Sequence, residues 1–596
     1  GLIDGQFTLV KGETIRNVGQ KQIYGDYLAM EAKQIYNGAE KVTSGKGTTT
    51  RAGTIAGREG LALAFEQMTN ADGATVLSFG NTTIGRTLNE HYQAVGKADS
   101  LDNASGLINL MGNARVSVSR LTNRDSHIED LLAKNNNRIS LTQYQQHRAP
   151  GQFLVGGDLT LETDKMHNKY SQLLVGGNLT VNGEHIARQG ATPQMPSEHN
   201  ALSEVLVNED LSGKVYQLKK VQSNGFRWFK RHHRYEEHVI DNLGATDNPL
   251  ATVLGTQTTR YMTDQVNATD ANFDNVNITG KDGQVRIQAQ TQLSPEQQQQ
   301  IVTSGAVVSH YFDSTVQGSL LLSEGKTEIS GGKTKGQNGQ TEAARRTQLE
   351  DLSLTTVRTH LSDNQSLPTA SYLQDNRNDP TAPLVSVDPI LTKGQHGLSS
   401  DYLLKLTGQH SQAKRLGDGF YEQQLVREQI NQLTGRRFLE GQTNDQAQYE
   451  TLMNNGAKAA KELGLEVGKG LTAQQMSNLK QDIVWFVERE VAVPNEGNTL
   501  KGGRHREQGE TPTTQTVKVL VPQVYTVSRH TDVIDKNAVI SATNIIGQLN
   551  GKVNNSGAIS ALNLNQLHAE ALENSGRING RYVDIKTRGD AKKRCQ

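Results

Sequence analysis

Apolar and polar residues alternate in short runs that return at a fixed interval. Residues 155–168 read VGGDLTLETDKMHN and residues 175–188 read VGGNLTVNGEHIAR. Gly156, Gly157, Asp158, Leu159, Leu161 and Met166 recur as Gly176, Gly177, Asn178, Leu179, Val181 and Ile186, each 20 residues further on. Alternation over a short run marks a half-buried strand, and Gly beside Asp or Asn suits a tight corner. A unit this short cannot bury its apolar face alone, so it must stack on its neighbour. The pattern predicts a β-solenoid with one coil per unit.

The same signal opens the chain. Arg16-Asn17 and Tyr36-Asn37 lie 20 residues apart, with Ile23, Gly25, Leu28, Met30 and Ile35 between them. A second copy runs from Ile55 through Gly57, Leu61, Leu63 and Met68 to Asn70. The triplets Ile35-x-Asn37, Met68-x-Asn70, Leu121-x-Asn123 and Met166-x-Asn168 read as one corner. There the apolar residue points inward, and the Asn bonds to backbone or to the Asn of the next coil. Residues 38–54 read as a loop thrown out of one coil.

Pattern divides the whole chain. Residues 1–190 are a repeat solenoid, 191–245 a basic and aromatic projecting arm, and 246–395 an irregular solenoid with surface loops and a Pro/Asp-rich linker. Residues 396–494 are a helical domain, 495–526 a loop and extended strand, and 527–596 a second, truncated solenoid. In the irregular region, residues 275–289 alternate. In the helical domain, Tyr421, Leu425, Val426, Ile430 and Leu433 share a helical face closed by Gly435. A second helix is expected from Asn444 to Gly464. A capping box at Thr472 and Gln475 predicts a third, with Met476, Leu479, Ile483, Phe486 and Val487 as its stripe and Trp485 packed on the solenoid end. In the last region Asn555-x-Gly557-x-Ile559 recurs as Asn574-x-Gly576-x-Ile578.

Composition agrees with a stack. The 596 residues are too many for one ordinary core, but each coil touches only the next. Hydrophobics at 34%, aromatics at 5% and 58 glycines fit a thin aliphatic core with many turns. Lys+Arg and Asp+Glu both number 62, which gives no reason to expect specific nucleic acid or an anionic membrane as the main partner. Cys595 is the only cysteine, so an internal disulfide is excluded and thiol catalysis is not expected. No signal peptide and no apolar run of about 18 residues is seen.

The most chemically loaded stretch is GFRWFKRHHRYEEH, residues 225–238. Arg227, Trp228, Lys230, Arg231, Arg234 and Tyr235 interleave charge with rings, as in a polyanion or partner contact. The plain alternative is a strand pair projecting from the solenoid with its charges solvated. His232, His233 and His238 beside Glu236 and Glu237 match no metal-ligand spacing, so no metal or cofactor is expected. Ser44-Gly-Lys-Gly47 lacks the spacing and hydroxyl of a phosphate loop. Asp158 and Asp164 stand where a polysaccharide-cleaving β-helix would keep its acids, but Asp158 repeats as Asn178, which fits a corner better than acid/base work. With no site visible, an enzyme is not expected.

The GG(D/N)LT(L/V) units and Asn-x-Gly repeats resemble filamentous-haemagglutinin-type large exoproteins, as does the segment SSDYLLKL…KRLGDGFYEQQLVREQI…TGRRFL…LTAQQMSNLKQDIVWFVEREV…VLVPQVY. These are the secreted partners of two-partner secretion and include the toxin-delivery proteins of contact-dependent growth inhibition. The resemblance implies a mainly β chain: a right-handed parallel β-helix with an inserted small helical domain. It implies export through an outer-membrane transporter to the bacterial surface, and contact with a host or neighbouring cell through a glycan or protein receptor. The role is then adhesin or stalk of a growth-inhibition toxin, and a block like Ser399–Tyr525 between two repeat regions favours the stalk. The abrupt ending Asp590–Gln596 reads as a cut-short reading frame, with no secretion domain before the repeats and no toxin after them. A polysaccharide-active β-helix enzyme and a polyanion-binding surface module stay open as alternatives.

Overall fold

The structure is a computed structural model. It describes residues 1–44, 47–183, 203–221 and 234–239, short strands between 265 and 386, and 398–593 with gaps at 417–418, 472–474, 476–477, 495–513, 528, 530, 534–535 and 589–590. It divides into two compact units: residues 1–244, 435–444 and 535–596, and residues 245–434 and 445–534.

The first unit is a parallel β-solenoid. One coil is Gln152–Val155, Leu159–Glu162 and Lys165–Lys169, three short strands joined at corners. Each strand pairs in parallel with its counterpart in the next coil, Phe153 opposite Leu173, Leu159 opposite Leu179 and Met166 opposite Leu206. Alternation sends every second residue inward, and stacking lines those residues into columns. The first face carries Ile23, Ile55, Val76, Ile108, Phe153, Leu173, Ile540, Ile559 and Ile578. The third carries Ile15, Ile35, Met68, Leu101, Leu121, Met166, Leu206, Val553 and Leu572. All but the partly buried Ile578 are buried in one continuous cluster, where each large aliphatic side chain contributes about 1.5–3 kcal/mol.

Beside the third column stands a row of asparagines. Asn17, Asn37, Asn70, Asn103, Asn123, Asn168, Asn208 and Asn555 each donate from Nδ2 to Oδ1 of the next, ending at Asn574, at 2.8–2.9 Å. Their separations in sequence are 20, 33, 33, 20, 45, 40, 347 and 19 residues. The rung is constant while the chain between rungs is not. The next coil reopens at a small residue for a steric reason: a Cβ on Gly151 would lie 2.6 Å from Asn123 Oδ1.

Two expectations about the repeats change. Met166 faces Leu206, not Ile186, which lies outside the described residues. About 20 extra residues follow Asn182, so the true triplet is Leu206-x-Asn208. Nor is the region after residue 527 a second solenoid. Val539, Asn544 and Val553 pair directly with the coil of Gln172, Asn178 and Leu206, so the stack runs on through a very long insertion.

Most of the irregular solenoid expected over 246–395 lies outside the described residues. Its described strands pair antiparallel, as in the hairpin of Val276–Gly280 with Gly283–Ile287, and none joins the solenoid sheet. Alternation marks a strand but does not choose its partner.

Within the first unit, a short helix pair, α1 (Ser126–Lys134) and α2 (Leu141–His147), fills one insertion. The second unit carries α3 (Asp401–Thr407), α4 (Gly419–Thr434) and α5 (Asp445–Leu463). Gly435, with φ of 63°, follows α4 in the left-handed conformation that ends helices. Of the expected third helix, residues 472–474 and 476–477 lie outside the described residues, and its stripe from Ile483 onward is instead a strand. Ile483–Pro494 pairs antiparallel along Thr514–Val527, Ile483 opposite Tyr525. The consecutive apolar run Ile483–Val487 is buried throughout, which suits a strand covered on both faces. Trp485 packs inside this unit, not on a solenoid end, and its Nε1 donates to Glu466 O at 3.0 Å. Pro522 removes a backbone donor from Thr514–Val527, the strand to which the others of this sheet pair. There the Gln429 amide donates to Pro522 O at 2.8 Å and accepts from Val524 N at 2.8 Å, fastening α4 to the sheet.

Candidate functional site: the corner where insertions leave the solenoid

The corner after the Asn ladder is where the chain departs. A hairpin, Gln22–Ser44 with Gly47–Ala52, leaves after Asn37. The helix pair leaves after Asn123, and the longest insertion after Asn208. Two residues beyond these last asparagines stands an aspartate that closes the neck. Asp125 Oδ1 caps α1 by accepting from Ile128 N at 3.0 Å, and its Oδ2 accepts from Ala149 N, on the returning chain, at 2.7 Å. Asp210 Oδ1 accepts from Asn537 N at 2.7 Å and Ala538 N at 3.1 Å. Asn537 Oδ1 in turn accepts from Leu211 N at 3.0 Å. Burial pushes both aspartates above the ordinary carboxylate range, against the pull of these amides. Sequence reading missed this pairing, although Asn-x-Asp at 123–125 and 208–210 was its signal.

The basic arm starts from the same corner. Ile139 and Ser140 pair with Val215 and Tyr216, and Val215–Val221 then pairs antiparallel with Arg234–Val239. Its base has its own core of Ile128, Leu132, Tyr144, Tyr170, Leu211 and Val215. Arg138 lies over the Tyr216 ring at 5.3 Å and pairs with Glu237 at 2.7 Å. Behind it, Glu209 meets Lys214 Nζ and His167 Nε2, each at 3.1 Å. Tyr170 OH accepts from Lys214 at 2.8 Å and donates to Glu209 at 3.2 Å. Burial raises the Glu209 carboxyl, but His167, Lys169 and Lys214 outweigh it and hold the carboxyl down at about 2. Burial and Glu209 push the Tyr170 hydroxyl well up.

Arg227, Trp228, Lys230 and Arg231 lie outside the described residues, as do His232 and His233. Arg234 and Tyr235 open the arm's second strand, opposite Val221 and Lys220. Among the described residues no group of three or more His, Cys, Asp or Glu is placed to hold a metal.

Asp158 sits at a different, exposed corner. Its N donates to Asn113 Oδ1 at 2.9 Å and its Oδ1 accepts from Asn178 N at 2.8 Å. The row continues as Asn544 Nδ2 donates to Asn178 Oδ1 at 2.8 Å and Asn563 Nδ2 to Asn544 Oδ1 at 3.1 Å. Asp158 is therefore a corner residue of a second ladder. Asp164 pairs with Lys97 Nζ at 3.0 Å.

The segment Gly435–Asn444, between α4 and α5, belongs to the solenoid unit. Ser541 Oγ donates to Gly435 O at 2.7 Å, and Arg436 donates to Ser560 O at 3.1 Å and Ser560 Oγ at 2.7 Å. Ser541 and Ser560 continue an outward column that carries Leu154 and Leu174 in earlier coils. The small hydroxyls make room for the strap and supply its hydrogen bonds. Phe438 lies over Gly176, where a Cβ would come within 2.5 Å of the ring.

Comparison with known proteins gives partial matches. Over 103 residues the chain is 45% identical to the tRNA nuclease CdiA-2 of Burkholderia pseudomallei, covering 17% of this chain and 3% of that protein. Over 184 residues it is 35% identical to Toxin CdiA of Yersinia pestis, covering 30% and 5%. Over 212 residues it is 30% identical to the protein adenylyltransferase and cysteine protease IbpA of Histophilus somni, covering 33% and 5%. The chain thus spans 3–5% of the length of these relatives. No family model matches, and no solved structure matches.

Proposed function

Because the chain belongs to the large exoproteins of two-partner secretion that include contact-dependent growth inhibition toxins, we infer that it is a stalk segment of such a protein. It carries no chemistry of its own in this reading. It holds recognition and effector regions away from the producing cell. The observation that supports this most is the Asn ladder, which passes from Asn208 to Asn555 without a break in register. Stacked coils give mechanical continuity, and the corner insertions give contact surface. The partners are an outer-membrane transporter and the surface of a host or neighbouring cell. The place is the bacterial exterior; no helix among the described residues is long and apolar enough to cross a membrane.

The test is surface shaving of bacteria that produce the parent exoprotein. An antibody raised against residues 1–183 is expected to label intact cells, and external protease to remove the label. A signal seen only after lysis overturns the reading. The adhesin alternative predicts that the purified chain alone binds target cells. The polyanion alternative is carried by the arm: heparin binding should vanish when Arg227, Lys230, Arg231 and Arg234 are all replaced by Ala.

A further inference from the structure

Five Asn-Gly pairs fall among the described residues: Asn37-Gly38, Asn182-Gly183, Asn455-Gly456, Asn550-Gly551 and Asn579-Gly580. An asparagine before glycine can cyclise, because glycine has no side chain to keep its backbone nitrogen away from the preceding amide. The glycine nitrogen attacks Cγ and forms an N–Cγ bond. The Cγ–Nδ2 bond breaks, and the amide leaves as ammonia with the glycine N–H proton. Water then opens the ring. Opening at Cγ leaves an aspartate, and opening at the backbone carbonyl leaves an isoaspartate, whose main chain is one carbon longer. Water is the only reactant needed. The fold decides which pair reacts, since nitrogen and Cγ must first come to about 3–3.5 Å.

Four of the pairs are held. Asn37 is a fully buried ladder rung: Nδ2 donates to Asn70 Oδ1 and Thr75 O, each at 2.9 Å, and Oδ1 accepts from Asn17 at 2.9 Å. Asn182 is clamped to one backbone unit, accepting from Thr163 N and donating to Thr163 O, each at 2.8 Å. Asn455 lies inside α5, and its Nδ2 donates to Asp482 O at 3.0 Å. Asn579 ends the strand Arg577–Asn579, opposite Ser560, with its Oδ1 buried. Each hydrogen bond that must open first lowers the reactive population by roughly two- to tenfold.

Asn550 differs. It stands at the corner between the strands Asn544–Gln548 and Lys552–Asn555 and is exposed. Neither its side chain nor Gly551 N hydrogen-bonds to any described residue. The glycine is fixed by packing, since a Cβ on Gly551 would lie 2.4 Å from Val205 Cγ1 and 2.7 Å from Ser203 O. The corner that requires the glycine therefore keeps the reactive pair. We propose that Asn550 is a modification site, converting spontaneously to aspartate and isoaspartate in the folded protein. The extra isoaspartate carbon enters between Leu549 and Val553, both members of the continuous core. The two strands then cannot both keep their register, and the last coils lose stability. The inference rests on this corner, not on the stalk reading.

The test is ageing of the full 596-residue chain at mildly alkaline pH. Peptide mass spectrometry follows amide loss, and labelling by isoaspartyl methyltransferase follows isoaspartate. In the folded protein Asn550 should convert at least about tenfold faster than Asn37, Asn182, Asn455 or Asn579, a ratio that a few hydrogen bonds supply. In urea the five rates should converge to within severalfold. Ageing should lower the melting temperature of the parent and leave that of Asn550→Gln unchanged. The proposal is overturned if Asn550 keeps its amide while the same pair converts in urea. It is also overturned if another of the four converts as fast in the folded chain, or if aged Asn550→Gln loses stability as the parent does. None of these results bears on surface shaving, so the two readings fail independently.

Discussion

Asn208 and Asn555, 347 residues apart in the chain, are adjacent rungs: Nδ2 of the first donates to Oδ1 of the second at 2.9 Å. Asn208 also receives Asn168 at 2.8 Å and is fully buried. The solenoid therefore closes over its largest insertion with the same bond it uses between coils 20 residues apart.

Asn208→Leu should destabilise the solenoid by about 1–3 kcal/mol for each neighbouring amide left without its partner, because buried polar groups are expensive to orphan. Asn544→Leu, on the exposed ladder, should cost under about 1 kcal/mol, since water replaces the lost bond. Urea unfolding of the two variants against the parent checks the contrast.

The neck aspartate is expected to matter locally first. Asp210→Ala removes the acceptor of Asn537 N and Ala538 N. Hydrogen exchange at residues 537–542 should quicken well before exchange in the coils of residues 107–123 changes. Uniform acceleration across the solenoid would mean that the neck is part of the global unfolding unit.

Glu209 makes stability depend on acid. Its carboxyl sits at about 2 in the folded chain against an ordinary 4.5. A folded value below the unfolded one means that ionised Glu209 stabilises the fold above pH 4.5, and that this contribution is lost as pH falls from 4.5 towards 2. Glu209→Gln should lower thermal stability at neutral pH and flatten its dependence in that window. Melting curves of both proteins from pH 6 to pH 2 give the comparison.

The strap predicts coupling. Arg436→Ala and Ser560→Ala remove the two sides of one buried contact. Their effects on stability should be non-additive by about 0.5–3 kcal/mol, as for residues in direct contact. A double-mutant cycle reads the coupling directly.

Much of the solenoid is legible from periodicity, because an inward residue every second position and a recurrent Asn are local signals. Leu206-x-Asn208 carries the same triplet as Met166-x-Asn168 and passes unseen because an insertion puts it 40 residues further on, whereas Leu101-x-Asn103 lies 20 residues before Leu121-x-Asn123 and is legible from spacing. What periodicity cannot supply is the partner. Residues 276–287 alternate like a coil but close on themselves as a hairpin. Ile483, Phe486 and Val487 sit on a helical stripe in sequence, yet form a strand because Thr514–Val527 lies alongside them. The corner role of Asp158 follows from its repeat as Asn178, and Asn178 N does donate to its carboxylate. The neck role of Asp210 depends on residues 327 and 328 positions away, which no local window reaches.

The ladder's uniform rung has an evolutionary corollary. Whatever is spliced between an Asn and the small residue that reopens the next turn leaves the aliphatic columns untouched. Insertions from 13 spare residues after Asn37 to several hundred after Asn208 leave the stack at that corner. Selection can thus diversify what such a shaft displays without re-engineering the shaft.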